Sequence, residues 1–275
     1  MKSFSKKTVF VTGGASGIGL AISRSFLSRG ANVVIADIDV EKLDSSLREL
    51  RNLSDCVDGV MCDVSDLNSV KSAAGFVDDR FGNVHVVINN AGVSFRAVAG
   101  KTPVPDWNWI IGVNLMGVVH GVEVFLPKIR AHGEGGHIVN TASMAGHFAM
   151  PTVAAYNATK FAVVGYSETL HKELEREEIG VSILCPGFVA TDIYKTQNMR
   201  PSGKQGAQFS DKQMDMVDGG LAPNAVGELV VDCVRINRLY IFTDGEMLPL
   251  LGSRKSEIET DYQACLRHPA INQTP

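Results

Sequence analysis

A serine, a tyrosine and a lysine set the chemistry this chain could do. In Asn140 to Lys160 (NTASMAGHFAMPTVAAYNATK), Ser143 lies thirteen residues before Tyr156, and Lys160 follows four residues after it. The apolar run His137 to Thr141 reads as a strand, and the segment from Thr152 onward reads as a helix. Helical residues four apart share a face, so Tyr156 and Lys160 can point into one site. A hydroxyl at the strand end can face them. This set suits proton transfer by a phenol. A free tyrosine titrates near ~10, too high for a good base at neutral pH. A neighbouring ammonium would favour the phenolate and lower that value. Ser143 could then hydrogen-bond the oxygen on which charge develops. YxxxK also recurs by chance on amphipathic helices, so the rest of the chain must decide.

A second constellation lies near the N-terminus. Thr12 to Gly19 (TGGASGIG) joins a short β-branched run to a helical stretch. Gly13, Gly17 and Gly19 would permit a tight turn and close approach of a phosphate to the backbone. The helix N-terminus offers N–H groups and a favourable dipole for a pyrophosphate. The spacing G-x-x-x-G-x-G has one residue more in its first gap than the common dinucleotide fingerprint. What makes it specific is Asp37, an acidic residue closing the second apolar run, NVVIAD. A carboxylate there accepts hydrogen bonds from a ribose diol and repels a 2′-phosphate. Neither the loop (Gly14, Ala15, Ser16) nor the following Ile38 supplies a base, so the expected cofactor is NAD and not NADP. A helix-capping role suits Asp39 better than Asp37.

The elements that must position these groups alternate along the chain. Strands are expected at Lys7–Thr12, Asn32–Asp37, Cys56–Asp63, Val84–Asn90, His137–Thr141, Val181–Cys185 and Leu239–Thr243. Helices are expected at Ile18–Arg29, Val40–Leu53, Leu67–Phe81, Trp107–Arg130 and Val153–Glu178. Such alternation implies βαβ units: a doubly wound α/β, Rossmann-type parallel sheet of about seven strands with helices on both faces. No repeat or Pro/Ser-rich linker divides the chain of 275 residues, which predicts a single domain.

Hydrophobic residues make up 45% and charged residues 20%, an ordinary globular balance. A net charge of −4 gives no reason to expect nucleic acid or an anionic membrane as partner. The five cysteines are scattered, without CxxC pairing, and neither HExxH nor a Cys/His group at ligand spacing occurs. That pattern predicts reduced thiols, a cytoplasmic protein and no metal centre. The N-terminal apolar run is too short for a signal peptide. Trp109 to Leu126 approaches the length of a membrane span, but Asn114, His120 and Glu123 interrupt it. A helix buried in the protein and at a subunit contact is the expectation.

With these motifs in hand, the sequence resembles the short-chain dehydrogenase/reductase family from about Lys6 to Thr191. The resemblance rests on TGGASGIG, Asp63-Val64, NNAG (Asn89 to Gly92), Asn114, Ser143, YNATK (Tyr156 to Lys160) and PGFVAT (Pro186 to Thr191). It implies that Tyr156 is the general acid/base and that Ser143 polarises the substrate oxygen. Lys160 would bind the nicotinamide ribose and lower the Tyr156 pKa, and Asn114 would hold a water of a proton relay. On the cofactor side it implies Gly13, Ser16, Gly17, Ile18 and Gly19 at the pyrophosphate, with Asp37 at the ribose. Asp63 and Val64 would lie at the adenine, and Asn90 and Gly92 along the cleft. Pro186, Gly187, Val189 and Thr191 would hold the carboxamide end.

Asp192 to Leu221 is polar and methionine-rich, with Pro201, Gly203 and Gly206 against one continuous helix. It falls where the family has a substrate-covering loop. The expected substrate pocket is Phe95, Met144, His147, Phe148, Met150, Phe188, Ile193 and Tyr194. These are mainly apolar or aromatic, which suits a hydrophobic secondary alcohol or ketone. The phrases WNWIIGVNLMGVVHG and RLYIFTDGE resemble the bacterial subgroup that oxidises aryl-carbinols or similar bulky alcohols. Residues 245–275 form an extension beyond the last strand. A homodimer on the two long helices, or a homotetramer, is expected. Two other readings stand beside the NAD-dependent dehydrogenase. One is an NADPH-dependent carbonyl reductase, and the other is a catalytically silent dinucleotide sensor on the same fold.

Overall fold

The computed structural model describes residues 3–203 and 208–271. Gly206 of the expected covering segment and the last four residues of the extension lie outside them. Seven strands form one sheet: β1 (Thr8–Thr12), β2 (Asn32–Asp37), β3 (Val57–Met61), β4 (Val84–Asn89), β5 (Gly136–Thr141), β6 (Ile179–Cys185) and β7 (Tyr240–Phe242). Their order is β3-β2-β1-β4-β5-β6-β7, with every pairing parallel. This is the Rossmann-type α/β fold the alternation predicted.

Parallel pairing buries both faces of the central strands. β1 is buried along its whole length, and its side chains alternate between two cores. Val9 and Val11 join Ile22 and Phe26 of α1 (Gly17–Leu27), and Val226 and Val230 of α8 (Pro223–Arg235). Leu43 and Leu47 of α2 (Val40–Arg51) complete that side. Phe10 faces the other core, with Val70 of α3 (Leu67–Phe81) and Phe125 of α5 (Gly117–His132). The Phe10 and Phe125 rings lie 4.5 Å apart.

The long apolar helix is not uniform. α4 (Val104–Ile111) runs into a π-helical turn at Gly112–Met116, which then continues as α5. Such turns interrupt the regular ladder and are enriched at functional sites; this one carries Asn114. By composition Val104–His132 could cross a membrane, yet 44% of its most apolar stretch is buried inside the fold, where α5 packs on the sheet.

α6 (Ala154–Glu173) ends earlier than expected, in a turn before β6. The covering segment is a 3₁₀ helix, Ile193–Met199, and a short helix α7, Asp211–Asp218. The chain divides at Thr243 into two compact units. The second, Asp244–Pro275, contains α9 (Leu248–Leu266).

Candidate active site

β1 and β4 are neighbours whose continuations leave in opposite directions along the sheet order, which opens a crevice at the carboxyl ends of the strands. Thr12 ties its floor together. Thr12 Oγ1 accepts the N–H groups of Asn90 at 2.9 Å and Ala91 at 3.1 Å. Asn90 Nδ2 donates back to Thr12 O at 3.0 Å and Gly13 O at 3.2 Å. Gly13 has φ 61°, and a Cβ on it would meet Ala91 Cα at 2.9 Å, so conformation and contact both demand glycine. Gly19 plays a different part from its neighbours. A Cβ there would lie 2.1 Å from Gly13 O, so this glycine packs the helix against the turn and does not line the cleft.

The same cleft, about 740 Å³, is lined by Gly13, Ser16, Gly17, Ile18, Asp37, Asp63, Val64, Asn90 and Gly92. Tyr156, Lys160, Pro186, Gly187, Val189 and Thr191 line it as well. All the expected cofactor residues except Gly19 thus come together in one crevice.

The crevice suits a dinucleotide. α1 begins with no side-chain cap at Ser16 and no acid in its first turn, which leaves its first N–H groups to an anion. The Asp37 carboxylate accepts Ala15 N–H on Oδ2 and Asp39 N–H on Oδ1, each at 3.1 Å. A second lone pair on each oxygen stays available for a diol. Asp39 caps α2 through Lys42 N–H at 3.1 Å.

The reactive groups meet at the end of β5. Ser143 follows that strand; its Oγ accepts Ala145 N–H at 3.1 Å and donates to Pro186 O at 3.4 Å, and its hydroxyl acts on Tyr156. Lys160, one turn along α6, is buried and donates to Thr141 O at 2.8 Å. Its Nζ lies 5.6 Å from the centre of the Tyr156 ring. Burial lowers the lysine to about 8, so it is charged at neutral pH and still able to give up a proton near it. Tyr156 departs from expectation. Burial pushes the phenol above its ordinary value, and the Ser143 hydrogen bond opposes this without reversing it. The expected lowering by Lys160 is absent: burial brings the lysine to about 8, below the raised phenol, so the ammonium has lost its proton before Tyr156 ionises.

Asn114 is fully buried behind the site. Its Oδ1 accepts Val93 N–H at 2.8 Å, and its Nδ2 donates to Val93 O and Thr159 Oγ1. The side chain therefore holds the strand-like segment after β4 against α6. A Cβ on Gly92 would lie 3.7 Å from Lys160 Nζ and 3.5 Å from Asn114 Oδ1, so this glycine keeps space open beside both.

The expected substrate pocket needs correction. Met150, Phe188 and Ile193 line the cleft. Phe95, Met144 and Phe148 are buried in the core and do not. Phe95 packs on Trp109, their rings 6.2 Å apart. His147 turns away, its Nε2 at 3.2 Å from Cys185 Sγ and its ring against Tyr240 and Phe242. Tyr194 sends its hydroxyl to Asp218. The wall is instead completed by Ser94, Arg96, Trp109, Phe209, Met216 and Val217. A period of two would have found the first pair: in an extended segment Ser94 and Arg96 share a face and Phe95 takes the other. Phe209 and Met216 carried no such signal, because the covering segment folds back from far along the chain.

A family model described as short chain dehydrogenase matches residues 7–201. A short chain dehydrogenase/reductase from Burkholderia phymatum, solved in complex with NAD, is 37% identical. It superposes with a TM-score of 0.89 over 95% of this chain and 97% of that one. A "CLA biosynthesis dehydrogenase/reductase" of Lactiplantibacillus plantarum is 33% identical over 95% of this chain and 96% of its own length. A "C alpha-dehydrogenase" of Sphingobium sp. is 33% identical over 88% of this chain and 81% of its own.

Proposed function

The chain belongs to the short-chain dehydrogenase family, and we propose that it oxidises a hydrophobic secondary alcohol to its ketone with NAD, aryl-carbinols included among the candidates. One observation carries the reading. Tyr156, Ser143 and Lys160 line the same cleft as the wall of Trp109, Met150, Phe188 and Met216, with Lys160 Nζ 5.6 Å from the Tyr156 ring. NAD held along Gly13, Gly17, Asp37 and Thr191 would supply the acceptor for the hydride of the carbinol carbon. Tyr156 takes the hydroxyl proton, and Ser143 hydrogen-bonds the oxygen as its charge changes. Lys160, with its lowered pKa, passes that proton on. Asp37 binds the ribose diol and disfavours a 2′-phosphate. The relatives' names, dehydrogenase and reductase, support the reaction class.

The reading includes a cytoplasmic homo-oligomer. The five free cysteines suit a reducing compartment, and Ile111 and Met116 stay exposed along the long helix. The test is initial-rate NADH formation from a panel of hydrophobic secondary alcohols, with NAD and with NADP. Turnover with NAD and a marked preference over NADP is the expected result. Tight NAD binding without turnover on the panel would favour the silent sensor, and preference for NADP would favour the carbonyl reductase.

A further inference from the structure

The apolar end of the cleft is interrupted by one guanidinium. Arg96 lines the wall from the extended segment after β4. Its Nη2 donates to Thr152 Oγ1 and, at 3.4 Å, to Pro151 O. Its Cζ lies 5.6 Å from the centre of the Phe209 ring. Each of these partners is neutral. Among the described residues no carboxylate pairs with Arg96, and residues 204–207 (KQGA) include no acid. Surface cations such as Arg29, Lys128 and Arg130 each have a carboxylate beside them. Burial lowers the Arg96 pKa with no opposing charge to offset it. An arginine keeps its proton even so, and a half-buried charge without a counter-ion is costly until one arrives.

A purely structural role accounts for one arm of the fork. Thr152 holds a left-handed φ of 67°, unusual for a β-branched residue, and Nη2 steadies that turn just before α6. Nε and Nη1 have no partner among the described residues. A planar fork with two open donors matches a carboxylate.

Resting on the alcohol-dehydrogenase reading, we propose that Arg96 receives a carboxylate of the substrate, so that the substrate is a hydrophobic hydroxy acid or its keto acid. The apolar wall then holds the spacer between the two polar ends. The carboxylate is unchanged in the reaction; it fixes which carbon is presented to Tyr156.

The test is a binding measurement, so it stands apart from turnover. The NADH-loaded protein is titrated calorimetrically with decanoate and with 1-decanol, which share a chain and differ in charge. Decanoate is expected to bind at least about tenfold tighter, the margin of a charge-assisted hydrogen bond. Arg96→Gln should weaken decanoate about ten- to a hundredfold and leave 1-decanol within about twofold. Arg96→Lys should restore part of the difference, and Thr152→Val, which keeps the guanidinium, should retain it. Equal binding of acid and alcohol by the unaltered protein overturns the proposal. So does an equal loss of both ligands in Arg96→Gln, which would leave Arg96 as a clamp on the Pro151–Thr152 turn. If Arg96→Gln does not fold, the Thr152→Val and unaltered-protein titrations still decide. Failure of the dehydrogenase reading shows separately, as no NADH from any alcohol.

Discussion

The two ends of the cleft are built by different means. At the dinucleotide end, side chains stand on strand ends and helix starts and are held by local bonds. Thr12 is tied to Asn90 and Ala91, and Asp37 accepts Ala15 and Asp39 N–H groups. At the substrate end, the wall comes from an extended segment, a 3₁₀ helix and the short α7, with methionines that stay partly exposed. Fixed donors suit a ligand whose geometry never varies, and flexible thioethers suit a ligand whose shape does. On the proposed function, one end sets the chemistry and the other the choice of substrate. Substitutions should separate the two.

The largest separation is expected at Tyr156. Tyr156→Phe removes the hydroxyl proposed as acid/base and keeps the ring, so kcat should fall about 10²–10⁴-fold. NAD affinity, measured by titration of the free protein, should stay within a few-fold. A parallel loss of cofactor binding would show that the two ends are not independent. On the proposed mechanism, oxidation in the unaltered protein needs the phenolate, and burial holds that phenol above its ordinary value. Below that pKa the phenolate fraction grows about tenfold per pH unit, so kcat/KM for oxidation should climb through neutral into alkaline pH. Ketone reduction needs the phenol protonated, so its rate should hold through neutral pH and fall above the same pKa. A flat oxidation profile under chemistry-limited conditions would remove Tyr156 as the base.

Asp37 sharpens the dinucleotide end by itself. Asp37→Ser removes the charge facing a 2′-phosphate and the acceptor for the diol. The ratio of kcat/KM for NADP to that for NAD should rise about ten- to a hundredfold. Substrate KM should not move. A change in KM for the alcohol would mean that the adenosine site communicates with the substrate wall.

These two ends also differ in how far the sequence disclosed them. Tyr156, Lys160, Asp37 and the glycines lie in short motifs whose spacing within one strand–turn–helix fixes where they point, so the fold and the crevice could be read directly. Gly19 shows the limit of that reading: the motif includes it, yet its task is to pack against Gly13 O. At the other end, hydrophobicity was a poor guide. Phe95, Met144 and Phe148 are apolar because they fill the core, and the same property brought them forward as pocket candidates. Arg96 stands in no motif, and only the alternation of its extended segment sets it in the wall. The π-turn at Asn114 was equally hidden, since Gly112–Met116 continues the helical pattern on both sides.

The smallest effects come from Phe148 and Met150, two residues apart and both expected in the pocket. Phe148 is 8% exposed and does not line the cleft, whereas Met150 is 38% exposed and does. Phe148→Leu trims a core side chain, a volume change that costs about 1 kcal/mol. In a domain of this size that lowers Tm by about 2–4 °C, and KM for the alcohol should stay the same. Met150→Ala removes contact area from the substrate and opens no core cavity, so KM should rise a few-fold while Tm holds within about 1 °C. Thermal melts and steady-state kinetics on the pair read both quantities. If Phe148→Leu shifts KM, or Met150→Ala shifts Tm instead, the line between core and wall runs on the other side of these two residues. The substrate end would then be as tightly packed as the dinucleotide end.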